Sequence, residues 1–151
     1  MRVFVDTNVI LEYFMHREGF DVAEKFLLQI RDRELDAYMS VGAFYTMHYI
    51  VLRYLHKEKG LYGEECLFNL RSVMGKMLQL FEVAEHDKTS LLYGISDVRY
   101  KDLEDSCQYQ AAVKAECKYL VTFNIADFPV GNDGSVQVLT PQQYLDLNTN
   151  K

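Results

Sequence analysis

The feature of the chain that most constrains its fold is an alternation of short β-prone runs with longer segments of helical periodicity. Five runs predict strands, at residues 2–5, 35–39, 80–84, 119–122 and 136–139. Between them, apolar residues recur every three or four positions, as in amphipathic helices. Strands that alternate with helices predict right-handed crossovers and a parallel sheet covered on both faces. We therefore expect an α/β fold with roughly five parallel strands.

Residues that cap helices stand before several of the helical segments. These residues are Asp21, Ser40, Asp87 and Asp102. The sequence Thr140-Pro141-Gln142-Gln143 adds an N-cap, a proline at the first helical position and a capping-box glutamine. The first helix is expected to follow Asp6 and to continue as far as Gly19.

Size and composition predict one domain over residues 1–151. The chain is 49% hydrophobic and 25% charged, which is an ordinary globular mixture. It contains two prolines and no Ser/Gly-rich linker, and 151 residues is a common size for one core. No apolar stretch approaches the roughly 20 residues that span a bilayer, so we expect no membrane association.

The cellular compartment is predicted from the N-terminus and the cysteines. Asp6 brings a charge too early for a secretory signal sequence. Three cysteines are an odd number without C-x-x-C spacing, and they are typical of a reducing cytoplasm. The formal net charge of −6 argues against broad, non-specific adhesion to nucleic acid. It does not exclude a nuclease whose carboxylates are neutralised by cations.

Acidic and amide side chains fall where the carboxyl ends of strands and the amino ends of helices share one edge of the sheet. Ligands of open α/β sheets bind at this edge. Three separate segments contribute to it, with Asp6 after the first strand, Asp102, Glu104 and Asp105 at a helix start, and Asn124 and Asp127 after the fourth strand. Clustered carboxylates repel one another unless a cation lies among them. Hard oxygen ligands without Cys or His favour Mg²⁺ or Mn²⁺.

The same residues have an alternative, purely structural interpretation as helix caps. Asp and Asn are common N-caps, so Asp6 and Asp102 could serve only to begin helices and to complement their dipoles. Convergence of three segments on one edge favours the metal site without excluding the caps.

Four stretches resemble the PIN-domain family, and in particular its bacterial toxin-like branch. They are FVDTNVIL at 4–11, YMS at 38–40, KDLEDSCQY at 101–109 and LVTFNIADF at 120–128. The resemblance implies a three-layer α/β/α sandwich and a metal-dependent endoribonuclease, commonly the toxin of a toxin–antitoxin pair. Its expected cofactor is Mg²⁺ or Mn²⁺, and its expected partners are RNA and an antitoxin protein.

The resemblance also implies roles for individual residues. Asp6 and Asp105 match the main metal-binding aspartates, and either Asn124 or Asp127 matches the last polar member of the site. Thr7 and Asn8 would support Asp6 from the adjoining turn, and Asn8 is also a candidate for substrate binding.

One position departs from the family pattern. The family usually carries a glutamate two turns into the helix after the second strand, and Thr46 is its counterpart here. Thr46 could hold a metal-bound water but supplies no charge, while Asp102, as a further metal ligand, or Glu104 could compensate. A weakened site leaves a second hypothesis open, a PIN-like RNA- or protein-binding module with little or no activity.

Other features carry weaker predictions. Arg99-Tyr100-Lys101 precedes the acidic helix and could contact RNA phosphates and stack a base, or form an ordinary solvated loop. Tyr45, Tyr49, Tyr54 and Tyr62 could form an aromatic patch for a homodimer or a partner, or a half-buried rim of the core. No glycine-rich phosphate loop is present, and Asn8 stands where an aspartyl phosphatase needs a second acid.

Overall fold

The structure, a computed structural model, describes residues 1–32, 35–129 and 135–149, except for the side chain of Asn148. Its centre is a sheet of five strands, namely β1 (Arg2–Val5), β2 (Asp36–Ser40), β3 (Glu82–Ala84), β4 (Tyr119–Val121) and β5 (Gln137–Leu139). The strands lie in the order β3-β2-β1-β4-β5, and every pair is parallel. The predicted parallel α/β fold is confirmed.

In the described part of the chain, seven α-helices connect or follow the strands. They are α1 (Thr7–Phe14), α2 (Phe20–Arg31), α3 (Val41–Lys57), α4 (Gly63–Leu80), α5 (Lys88–Ser96), α6 (Leu103–Lys114) and α7 (Pro141–Thr149). A 3₁₀ turn, Ile125–Asp127, follows β4. Among the described residues, no helix combines the length and the apolar character needed to cross a bilayer.

The two faces of the sheet are covered by different helices. Alternation along β1 sends Val3 and Val5 to one face and Phe4 to the other. The first face packs on the apolar stripes of α1 to α4 and on Tyr144 of α7, and the second packs mainly on α6. Sheet and helices therefore form the expected three-layer α/β/α sandwich.

The predicted caps agree with the structure at four helix starts. Ser40 Oγ accepts a hydrogen bond from Ala43 N at 2.9 Å, and Asp87 forms a capping box with Ser90. The Asp102 side chain caps α6. Thr140 and Gln143 exchange the two hydrogen bonds of a capping box, at 2.9 and 3.1 Å.

Several predicted boundaries were wrong. The first helix ends at Phe14, well before Gly19, because the chain turns at His16, where φ is +48°. The N-cap of α2 is Gly19, and Asp21 lies inside the first turn. The strand expected at 80–84 begins at Glu82, since Leu80 completes α4. A short apolar run is compatible with either periodicity, which is why its boundary was misplaced.

The sheet order creates a crevice at the carboxyl ends of β1 and β4. From β1 the chain moves outward through β2 and β3, and it then crosses back to place β4 against the opposite side of β1. Crossovers on the two sides of β1 therefore leave in opposite directions. Such a switch point is the usual ligand site of an open α/β sheet.

Candidate functional site

Asp6 follows β1 at this crevice and is almost completely buried, with 4% of its surface exposed. It stands at the N-cap position of α1, yet its side chain makes no capping hydrogen bond. Its Oδ2 atom instead accepts hydrogen bonds from the Thr122 hydroxyl at 2.8 Å and the Asn8 amide at 3.0 Å. Side-chain hydrogen bonds thus hold the Asp6 carboxylate in the crevice, so Asp6 does more than begin α1.

Thr122 joins the ends of the two central strands. Its hydroxyl donates to Asp6 and accepts from Asn8 Nδ2 at 3.1 Å and from Asn124 N at 3.0 Å. The Asn8 Oδ1 atom accepts from Phe123 N at 3.2 Å, so both ends of the Asn8 amide are used inside the protein. Asn8 supports Asp6 as expected, while its contact with substrate stays a prediction.

The sequence pattern predicts Thr122 only as the last residue of a strand and gives no role for its hydroxyl. The signal that was available is a hydroxyl directly beyond the buried run of β4, at the edge where Asp6 ends β1. Gln108 was missed as well, although it is 2% exposed and its amide lies beside Asp6. A glutamine within a helical period gives no sign that it faces a carboxylate.

The acidic residues of α6 have different local roles. Asp102 is its N-cap, and Asp102 Oδ1 accepts from Glu104 N at 2.7 Å. Asp105 lies one turn later and is half-buried. The cap interpretation therefore holds for Asp102, whereas Asp105 lies at the crevice.

Mutual repulsion shows that these acids share one site. Burial, followed by the negative charges of Asp6, Asp102, Asp127 and Glu104, raises the pKa of Asp105 to about 7. Burial also raises the pKa of Asp6, against the opposing effects of Thr122, Gln108 and two backbone N–H groups. The pKa of Glu104 is raised by burial and then by Asp102 and Asp6. Three distant segments thus meet around Asp105.

A cavity of about 430 Å³ opens beside these carboxylates, and we call it the polar hollow. Its lining residues are Arg99, Lys101, Asp102, Asp105, Ala126, Asp127 and Pro129. Arg99 forms a two-point ion pair with Asp97, with N–O distances of 2.9 and 2.7 Å. The predicted position of Arg99 and Lys101 at the acidic rim agrees with the structure.

Three of the predicted site residues, Tyr100, Asn124 and Thr46, do not line the polar hollow. Tyr100, a candidate for base stacking, is half-buried and packs its ring against Tyr109 and Phe128. Its stacking on a base stays a prediction. Asn124 is exposed and does not line the polar hollow, whereas Asp127 does. Thr46 is half-buried on α3, and among the described residues no hydrogen bond joins it to a carboxylate. Its role stays a prediction.

The site has few carboxylates that could bind a metal ion. Among residues 1–32, 35–129 and 135–149, no group of three or more His, Cys, Asp and Glu side chains is arranged to hold a metal ion. Burial and repulsion at Asp6 and Asp105 nevertheless favour a positive charge between them. One or two carboxylates completed by water is the arrangement that Mg²⁺ usually takes.

Comparisons with known proteins agree with this architecture. Ribonuclease VapC1 of Aquifex aeolicus (strain VF5) is 29% identical over 150 residues, which cover 96% of this chain and 94% of that protein. VapBC-1 from nontypeable Haemophilus influenzae superposes with a TM-score of 0.65 at 14% identity, covering 94% of this chain and 99% of the other. VapBC2 from Rickettsia felis, bound to a DNA fragment from its promoter, gives a TM-score of 0.61 at 12% identity, covering 93% and 98%.

A sequence profile described as a PIN domain matches residues 2–126. The match includes β1 to β4, the crevice between β1 and β4, and Asp6, Asp105 and Thr122. The chain therefore belongs to the PIN-domain family.

Proposed function

We propose that this protein is a metal-dependent endoribonuclease and the toxin of a toxin–antitoxin pair. The observation that carries the proposal is the approach of Asp6 to Asp105 at the switch point of the sheet, with the pKa of both carboxyl groups raised. The similarity to a protein named Ribonuclease VapC1 supports RNA as the substrate. The two VapBC structures share the fold and support a partner of antitoxin type.

Asp6 and Asp105 would hold one Mg²⁺ or Mn²⁺ ion. Asp102 adds negative charge nearby, but one of its oxygens is used as the cap of α6. A bound divalent cation activates water and stabilises the leaving oxygen in phosphodiester hydrolysis. Two carboxylates give the net charge that such an ion requires, and water and a phosphate oxygen of the RNA suit its remaining positions.

The remaining residues of the site position these two carboxylates and the substrate. Thr122 and Asn8 fix the orientation of Asp6 through hydrogen bonds to Oδ2. Asp127 faces the polar hollow and is the candidate for holding the attacking water by hydrogen bonding. Lys101 and Arg99 lie on the same wall and would attract the RNA backbone.

Cleavage of RNA tests the proposal most directly. We expect wild type to cleave a mixed-sequence RNA with Mg²⁺ or Mn²⁺ and to be inactive with EDTA. Asp6→Asn and Asp105→Asn should each lower the rate by at least about 100-fold, because loss of a ligand carboxylate removes charge stabilisation in the transition state. Equal rates for all three proteins would refute the assignment.

The matched control is Glu85→Gln, which removes one negative charge from an exposed loop after β3. Its rate should remain within about twofold of wild type, because an exposed charge outside the site contributes little. A comparable loss in Glu85→Gln would show that net charge, and not the carboxylate pair, governs the rate.

The partner can be tested separately. We expect a small antitoxin, produced together with this protein in the cytoplasm, to co-purify with it and to suppress its ribonuclease activity. Persistent activity in a purified complex with that protein would contradict the toxin–antitoxin part of the proposal and leave the nuclease part standing.

A further inference from the structure

A second cavity lies on the other side of α6 from the polar hollow. It has a volume of about 330 Å³, and we call it the apolar hollow. Its lining residues are Ser40, Val41, Gly42, His86, Leu91, Glu104, Cys107 and Gln108. The size lies at the lower end of the range for small-ligand pockets. Nothing in the nuclease chemistry described above uses it.

The first turns of α6 form a ridge between the two hollows. Asp102 and Asp105, three positions apart, line the polar hollow, whereas Glu104 and Gln108, four apart, line the apolar one. Residues at these spacings share a helix face. Asp6 interacts across the ridge with both sides, since its charge acts on Asp105 and Glu104 and the Gln108 amide lies beside it. The apolar hollow therefore borders the candidate cleavage site.

Two residues that line the apolar hollow each carry a buried polar atom for which the described part of the chain supplies no hydrogen-bond partner. Gln108 is 2% exposed, and its Oε1 atom is buried without a donor. His86 Nδ1 is buried and unpartnered in the same way. Buried polar groups are normally satisfied, and a ligand that satisfies them gains more than at an exposed position. Such atoms in a pocket whose exposed surface is mostly apolar are typical of a ligand site.

The chemistry of the walls selects an uncharged, flat ligand with polar edges. Val41, Leu91 and the thiol of Cys107 supply apolar contacts, and Glu104 would repel a phosphate. Gln108 Oε1 accepts only an N–H or O–H group, while a neutral imidazole nitrogen donates or accepts according to its tautomer. Burial, and then the charge of Lys114, lower the pKa of His86 against the opposing charge of Asp87, which favours the neutral ring. A nucleobase combines apolar faces with such edges.

We propose that the apolar hollow binds one nucleobase of the RNA next to the scissile phosphate and thereby sets a base preference for cleavage. The proposal rests on the ribonuclease function proposed above. The phosphate backbone then follows the polar hollow beside Lys101, and the unpaired base turns over the α6 ridge towards Gln108 and His86. Single-stranded RNA permits such a turn because its bases are free to leave the stack.

Direct binding of nucleosides tests the apolar hollow without any cleavage. Adenosine, guanosine, cytidine and uridine should be titrated separately into ¹⁵N-labelled full-length protein, with inorganic phosphate as a probe of the polar hollow. We expect at least one nucleoside to shift the Gly42 backbone amide and the Gln108 side-chain amide. Phosphate should leave both unchanged. No shift from any nucleoside up to its solubility limit would overturn the proposal.

A cavity-filling variant provides the matched comparison. Among the described residues, a Cβ atom at Gly42 would meet only Ser40 Oγ, at 3.7 Å. Gly42→Leu is therefore compatible with the backbone and extends from the wall of the hollow. It should abolish the nucleoside shifts. It should also reduce, by roughly tenfold, the ratio of cleavage rates between oligonucleotides that differ in one base. Gly75→Leu, on an exposed face of α4 where a Cβ atom meets nothing within 4 Å, should change neither.

Failure of this inference is distinguishable from failure of the proposed function. Cleavage without nucleoside shifts would overturn the base site and leave the nuclease standing. Nucleoside shifts without cleavage would leave the base site standing and overturn the nuclease function. If the Gly42 amide instead shifts with protein concentration and ignores nucleosides, a second copy of the chain covers the hollow and the base site is wrong.

Discussion

At the scale of single residues, the site depends on one hydroxyl. Thr122 is fully buried, and its oxygen takes part in hydrogen bonds with Asp6, Asn8 and the backbone N–H of Asn124. The bonds to Asp6 and Asn8 connect the end of β1 to the end of β4 through side chains, beside the backbone hydrogen bond from Asp6 N to Val121 O at 2.9 Å. Residues that orient a metal-binding carboxylate commonly matter nearly as much as the ligand itself.

Thr122→Val tests this role with little change in side-chain shape. We expect Mn²⁺ affinity and RNA cleavage to fall by about 10- to 100-fold, because Asp6 loses the donor that orients it. Isothermal titration calorimetry and a cleavage assay measure the two effects. Thr89→Val, an exposed position of α5, is the control, and an equal loss in both variants would contradict the role of Thr122.

In the absence of metal, the ionised Asp105 carboxylate destabilises the folded protein. Its folded-state pKa of about 7 lies above the ordinary value of 3.8. The folded state therefore holds the proton more tightly than the unfolded state does. Stability contributed by this group is present at low pH and is lost as pH rises from about 4 through about 7.

Asp105→Asn should remove the decrease in folding stability that wild type shows as pH rises. Without metal at pH 8, we expect the variant to be more stable than wild type by roughly 1 to 2 kcal/mol after allowance for solvent screening. At pH 4 the two should be nearly equal. Urea unfolding followed by circular dichroism at both pH values checks the sign, and a variant that is less stable at pH 8 would contradict it.

At the scale of elements, the position of α6 depends on its contact with α5. Gly94 of α5 lies against Cys107 of α6, and Ser106 Oγ donates to Gly94 O at 2.6 Å. A Cβ atom at Gly94 would lie 2.9 Å from Cys107 Sγ and 3.3 Å from Cys107 Cα. The close approach therefore requires glycine, and it helps to position the helix that carries Asp105.

Gly94→Ala and Gly75→Ala form a matched pair of helical substitutions. We expect Gly94→Ala to lower the free energy of unfolding by about 1 to 3 kcal/mol, because the added methyl group forces the two helices apart. Gly75→Ala adds its methyl group in open space and should raise stability by about 0.5 to 1 kcal/mol. Chemical denaturation measures both, and a change of the same sign in the two variants would contradict the packing argument.

At the scale of the whole molecule, the fold concentrates repulsion at one edge of the sheet. The chain carries a formal net charge of −6, and several of its acids meet around Asp105. A cation that binds only the folded state stabilises the entire protein by mass action. Metal binding is therefore measurable through global unfolding, without any assay of cleavage.

Addition of Mg²⁺ or Mn²⁺ at about ten times its dissociation constant should raise the wild-type Tm by roughly 3 to 6 °C. Asp6→Asn should abolish the shift, and the exposed substitution Glu85→Gln should preserve it. Differential scanning calorimetry at constant ionic strength makes the comparison. An unchanged shift in Asp6→Asn would move the metal site away from the crevice.

The predicted homodimer belongs to this scale as well. Of the four tyrosines expected to form a patch, Tyr45, Tyr49 and Tyr62 are exposed, whereas Tyr54 packs at the edge of the core. Tyr49 also accepts a hydrogen bond from Arg53 at 3.1 Å. Exposed aromatic side chains suit an interface. The homodimer stays a prediction.

The sequence by itself determined the order of strands and helices and the edge at which the acids gather. Alternation along strands, helical periodicity and capping residues are local properties, so they can be recognised without coordinates. Among the acids at that edge, the resemblance to the PIN-domain family singled out Asp6 and Asp105. Membership of three segments in one site followed from the rule that parallel strands end at a common edge.

Only the tertiary structure decided which local role each acid has and which neutral residues serve them. Asp102 and Asp6 both stand at N-cap positions, but only the Asp102 side chain makes a capping hydrogen bond. The Asp6 side chain instead accepts from Thr122, 116 positions away. The packing of α6 against the sheet and the start of α3 likewise decides where Gln108 lies and forms the apolar hollow. Hydrogen bonds and cavities between distant segments depend on ångström-scale placement of side chains, which local sequence patterns do not encode.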